Sequence, residues 1–86
     1  MTYEIVIDLI RGSLFLAKVN IVKYGTIVKK GETKVSVPLS TLPEGKTQDN
    51  VVREYIENAY LVDLRKNFYE EISELVLPVD APVEVG

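Results

Sequence analysis

Across residues 3–39 valine, isoleucine, threonine and tyrosine dominate with alternation, in runs punctuated by Gly12, Gly25 and Gly31. A period of two sends successive side chains to opposite faces, so this half of the chain reads as an antiparallel meander. Its first register follows from asking which loop keeps like residues on one face. A two-residue link at Gly12 and Ser13 would set Ile7 against Lys18 and Ile5 against Asn20. A three-residue link, Arg11 to Ser13, pairs Leu9 with Phe15, Ile7 with Ala17, Ile5 with Val19 and Tyr3 with Ile21. Glu4, Asp8, Lys18 and Asn20 then share the other face. The odd loop is predicted, with Gly12 at positive φ. Gly25 lies inside a run from residue 14 to residue 30, where a strand-interior glycine marks a bulge or sharp bend, so the chain should fold over there. A further turn is expected at Lys30, Gly31 and Glu32, leading into a strand with Val35, Val37 and Leu39 on the core side. That turn would gather Lys29, Lys30 and Lys34 at one hairpin tip.

Residues 47–77 contain neither glycine nor proline, and Thr47 or Asp49 can cap a helix start. On a helical projection Val51, Val52, Tyr55, Ile56, Ala59 and Val62 form one stripe, opposite Arg53, Glu54, Glu57 and Asn58. Beyond Val62 the stripe rotates: Leu61, Leu64, Phe68, Ile72, Leu75 and Val76 occupy roughly the side that Arg53, Glu54 and Glu57 occupy before it. An unbroken helix of about 28 residues would span roughly 42 Å and overhang a domain about 30 Å across. On that reading Leu61, Leu64, Phe68, Ile72 and Leu75 form an oligomer interface covered by a two-fold mate. A break near residues 61–66 would instead return the second half to its own sheet. The fold class is α+β: an antiparallel meander of three to four strands with one long C-terminal helix, continuous or broken near residues 61–66. Residues 1–77 form the domain. Residues 78–86, with Pro78 and Pro82, read as an extended arm whose Val83–Val85 segment could add to a sheet edge.

With 86 residues, 47% of them hydrophobic, the chain has the length of one small domain. It has no cysteine and no histidine, which removes disulfides, thiolate chemistry and the usual zinc sites. Neither a secretory leader nor a membrane span is expected, and a cytoplasmic location is the default. A core this small would gain from a partner subunit, so a homodimer or larger homo-oligomer is anticipated. The net charge of −3 hides a division. Residues 11–46 hold seven cations and two anions, net +5, whereas residues 47–86 hold three cations and nine anions, net −6. Either opposite patches dock in assembly, the basic middle collects an anion, or both are solvated surfaces.

Lys18, Lys29, Lys30 and Lys34 are the candidate ligand-binding residues for a phosphate-bearing molecule. The Walker spacing is absent, however, and a charged edge also guards a sheet against aggregation. Glu70, Glu71 and Glu74 read as a solvated helix face, so no metal site is expected, and no cofactor fingerprint is present. No evident partner activates a carboxylate, lysine, tyrosine or hydroxyl, and the chain is not expected to be an enzyme.

The leading functional expectation is a non-catalytic homo-oligomeric binding module: a small inhibitor or accessory protein, or one that sequesters a phosphate-bearing ligand through a basic hairpin. A nucleic-acid-binding regulator using the basic sheet face is the alternative. Residues 34–45, a strand running into a proline, resemble over about a dozen positions the swapped-hairpin transcription regulators, without the repeated second half of their motif. That resemblance implies DNA binding. A structural or virion assembly subunit is the third class.

Overall fold

The computed structural model describes residues 1–81. Three strands, β1 (Thr2–Arg11), β2 (Leu14–Lys23) and β3 (Thr26–Ser36), form one antiparallel sheet in the order β1-β2-β3. The predicted register holds along β1 and β2, where Tyr3, Ile5, Ile7 and Leu9 pair with Ile21, Val19, Ala17 and Phe15. The odd spacing is achieved differently. A two-residue turn at Gly12 and Ser13 closes on the Arg11 and Leu14 pair, and Ile10 is the extra residue of a bulge. Gly12 has φ of 56°. At the second hairpin Tyr24 and Gly25 both take positive φ, 52° and 76°, the type I′ pattern whose twist matches that of flanking strands. The chain therefore folds over at Gly25, as its position in the run implies.

Gly31 makes no turn. β3 runs without interruption through it, paired with Val19 of β2. The reason lies above the sheet: a β carbon at position 31 would collide with the Tyr60 hydroxyl, so the glycine makes room for a ring rather than bending the chain. The expected tip cluster of Lys29, Lys30 and Lys34 is corrected accordingly. The three lysines lie along one strand, Lys29 on the helix side and Lys30 and Lys34 on the other. Leu39, expected in the core, is turned out by a 3-10 turn at Leu39–Thr41.

The helical segment begins at α1 (Gln48–Tyr55), where Thr47 and Asn50 cap each other reciprocally. It continues through a π turn (Ile56–Tyr60) into α2 (Leu61–Asn67). The Leu61 amide reaches back five residues to the Ile56 carbonyl. This wider turn explains the rotating stripe: buried Val52 and Ile56 are four apart, but Ile56 and the next buried residue, Leu61, are five apart. One extra residue keeps the apolar side aimed at the sheet. Tyr55, expected in the core, is half-exposed.

α2 ends at Phe68, which leaves the helical region with φ of −123° and ψ of 40°. A single turn, α3 (Tyr69–Ile72), then reverses the chain. Ile72, Leu75 and Leu77 come back into the same core as Phe15, Val19, Ile21, Ile56 and Leu61. The helix is thus shorter than expected, about 30 Å for residues 48–67. The break falls at Phe68 rather than within residues 61–66. The expectation of an exposed seam is corrected with it. Leu61, Ile72 and Leu75 are buried by their own domain, Leu64 packs on that core, and Phe68 alone of the five stays outside.

Arg65 secures the return. Its guanidinium donates to the Leu75 carbonyl at 2.9 Å and grips both oxygens of Asp80, while the Leu77 amide donates to the same carboxylate at 2.8 Å. Residues Pro78–Asp80 therefore form a 3-10 turn held against α2 instead of the start of a free arm. The Val83–Val85 strand expectation lies outside the described residues.

Candidate functional site

The domain has principal extents of 39 × 38 × 22 Å. The short dimension is the depth of one sheet plus one helical layer, with no third layer above the sheet among the described residues. One sheet face is consequently covered and the other open. The odd-numbered residues of β2 (Phe15, Ala17, Val19 and Ile21) are buried beneath the helices, and the even-numbered ones face away.

Strand pairing fixes the map of the open face row by row. Glu4, Asn20 and Lys30 form one row across β1, β2 and β3, followed by Val6, Lys18 and Glu32, then Asp8, Leu16 and Lys34. Leu14 extends the apolar residues of the central strand at one end, and Val22 with Ile27 at the other. Val6 and Ile27 are 47% and 45% exposed, large values for β-branched side chains in a sheet. A shallow depression sits at the middle of the face, lined by Val6, Asp8, Lys18, Asn20, Lys30 and Glu32.

The four candidate lysines divide between the faces. Lys18, Lys30 and Lys34 share the open face, and none of them forms an ion pair among the described residues. Lys29 does not join them. It points to the helical layer, where its ammonium lies 3.4 Å from the centre of the Phe68 ring and 3.4 Å from Glu71. Lys23 meets Glu74 at 3.1 Å in the same region, and Lys46 pairs with Glu54. Part of the charge division seen in the sequence is therefore neutralised within the chain: basic hairpin against acidic return, with Glu71 and Glu74 occupied by lysines.

Two polar contacts of the helical layer carry displaced proton affinities. The Tyr3 phenol, on the covered side of β1, donates to the Glu57 carboxylate. Burial pushes its pKa up to about 12, helped by the hydrogen bond to Glu57 and by that carboxylate's charge. Asp80 is held down at about 2 by the Arg65 guanidinium and by the Leu77 amide. Both contacts tie elements together. Among the described residues no group of three or more aspartate, glutamate, histidine or cysteine side chains is arranged to hold a metal ion.

The sequence carries no signal of the Arg65–Asp80 clamp, and it singles out Gly31 as a turn, not as a seat for Tyr60. A glycine inside an otherwise regular strand is a signal for close approach as well as for bending, and the aromatic partner sits 29 residues away. Comparison with protein-family models, with curated proteins and with solved structures yields no match to this chain.

Proposed function

We propose that the chain is a non-catalytic protein-binding module that works through the open face of its sheet. The observation that carries this reading is the composition of that face. Val6, Leu14, Leu16, Val22 and Ile27 share the face with Lys18, Lys30 and Lys34 and with Glu4, Asp8 and Glu32. Partly exposed apolar residues interleaved with charges of both signs suit a protein surface, which offers matching area and matching charge. A polyanion would be attracted by a face of one sign, and here each lysine has an acidic counterpart in the same or an adjacent row.

The phosphate-sequestering reading loses support from the same map. Each lysine of the face shares its row with a carboxylate, Lys30 with Glu4, Lys18 with Glu32 and Lys34 with Asp8, which weakens the attraction for a free anion. Lys29 is engaged on the opposite side of the sheet.

The test combines a ligand panel with surface variants. Inorganic phosphate, nucleotides and duplex DNA are expected to leave the melting temperature unchanged, and Leu16→Lys on the open face is expected to cost less than about 1 kcal/mol at dilutions where the chain is a monomer. Saturable duplex or nucleotide binding that weakens with salt and is lost in Lys30→Gln with Lys34→Gln would overturn the proposal in favour of a nucleic-acid or anion binder.

A further inference from the structure

The open face has a symmetry in its charges that identifies one partner. The outer strand β1 contributes Glu4 and Asp8, with Arg11 beside Leu14 at its end, and the outer strand β3 contributes Lys30 and Lys34, with Glu32 between them. The two pairs are in register across β2: Glu4 shares a row with Lys30, and Asp8 shares the next row but one with Lys34. A two-fold axis parallel to β2 and lying above the face exchanges the positions of β1 and β3 between two copies while keeping each row at its own level. Glu4 of one copy then stands over Lys30 of the other, and Asp8 over Lys34, twice each. From this match we infer that the open face is an isologous interface on which a second copy of this chain packs, sheet on sheet, into a six-stranded sandwich. The inference rests on the protein-docking reading of that face and names its occupant.

The central strand fits the same operation. Leu14, Leu16 and Val22 lie on the axis and meet their own equivalents, so the apolar residues of β2 become the spine of the interface. In the row between the two acid–lysine rows, Lys18 has Glu32 beside it in its own sheet, and the two-fold brings the second copy's Glu32 over Val6. Each Lys18 is thereby placed between two glutamates, which balances the like charges facing each other on the axis. Aligned sheets pack about 30° apart, and that rotation shifts the outer rows sideways by only a few ångström, within reach of lysine side chains.

The size of the face suits a weak, concentration-dependent dimer. Strands of ten residues at about 3.3 Å each, three abreast at about 4.8 Å, give a footprint of roughly 33 by 14 Å on each copy. Two such footprints come to about 900 Å² before side-chain relief is counted, close to the roughly 1,200 Å² at which specific interfaces begin. On the helical side the stripe of Leu61, Ile72 and Leu75 is already used by its own core.

Charge reversal tests the inference directly. Glu4, Asp8, Lys30 and Lys34 are all exposed, so their replacement leaves the fold of each copy intact, which circular dichroism verifies. The full chain is expected to sediment as a dimer at high concentration. Lys30→Glu with Lys34→Glu, or Glu4→Lys with Asp8→Lys, should each weaken self-association about tenfold or more by setting like charges face to face. Mixing the two variants should restore pairing as a heterodimer, and combining all four changes in one chain should restore the homodimer. A dimer indifferent to both reversals, or two variants that fail to pair on mixing, would overturn the inference. A chain that stays monomeric at every concentration would also overturn it. That outcome leaves the docking of a different protein to stand or fall by the ligand panel and the Leu16→Lys variant.

Discussion

The hydroxyl of Tyr60 occupies the space that a side chain at position 31 would fill. It reaches across β3 to donate to the Glu32 carbonyl at 3.3 Å, and the ring carbons nearest to it would lie 3.3 Å from a β carbon on residue 31. Gly31→Ala should therefore cost about 1–3 kcal/mol through overpacking, although alanine is otherwise acceptable in a strand. In a Tyr60→Phe background, where the colliding oxygen is gone, the same substitution should cost clearly less. A double-mutant cycle by urea denaturation measures the difference, and a cost that is equal in both backgrounds would show that the ring does not set the requirement for glycine.

Ile72 and Leu75 test where the second half of the apolar stripe is buried. Each is at most 1% exposed within a single chain. Ile72→Ala and Leu75→Ala should each remove about 2–5 kcal/mol, a large part of the stability of a domain this size. The loss should be the same at low and high protein concentration, because the contacts are internal. If either substitution instead left the monomer's melting unchanged and abolished an oligomer, the packing described above would be wrong.

These residues also show how far the sequence determines the fold. Alternation in β1 and β2 was sufficient for the register, since a slip of one residue would have placed Lys18 and Asn20 on the covered face. Phase alone could not say how that register would be reached. Moving one residue from the loop to a bulge at Ile10 preserves every pairing. The rotation of the stripe after Val62 was visible as well, but two structures accommodate it: a second surface or a wider helical turn. The chain uses the π turn at Ile56–Tyr60, whose backbone pattern leaves no composition signal. Phe68 breaks the helix without glycine or proline because tertiary burial of Ile72, Leu75 and Leu77 outweighs local propensity. The charged map of the open face was only half legible. Alternation assigns Glu4, Asp8, Lys18 and Asn20 to it, whereas a strand glycine such as Gly31 equally signals a turn, which leaves the β3 partners undetermined.

Tyr24 is the one non-glycine residue at positive φ among those described, and its side chain is 95% exposed. The first position of a type I′ turn is better filled by asparagine, which tolerates the left-handed region and leaves no ring in water. Tyr24→Asn should raise stability by a few tenths of a kcal/mol to about 1 kcal/mol. Lys23 lies 5.7 Å from the Tyr24 ring, so a smaller gain would measure that contact. A loss of stability would mean that the ring contributes more than the backbone strain removes.

The pH dependence of stability should carry two separable limbs. Asp80 has its folded pKa depressed, from 3.8 to about 2, by the Arg65 guanidinium and the Leu77 amide. A depressed carboxyl contributes stability that is present above its unfolded pKa and is lost as pH falls through the folded one, so this limb lies between about pH 4 and pH 2. Tyr3 is displaced the other way, from 10.0 to about 12, by burial and then by its bond to Glu57. A raised phenol contributes stability that is present below its unfolded pKa and is lost as pH rises through the folded one, which places this limb between about pH 10 and pH 12. Thermal melts of the intact chain should show both declines. Asp80→Asn should flatten the acid limb and lower stability at neutral pH, since the amide cannot accept from Arg65 as a carboxylate does. Tyr3→Phe should flatten the alkaline limb alone. If Asp80→Asn left the acid limb as steep as before, the closure of residues 78–80 onto α2 would not be what Arg65 holds.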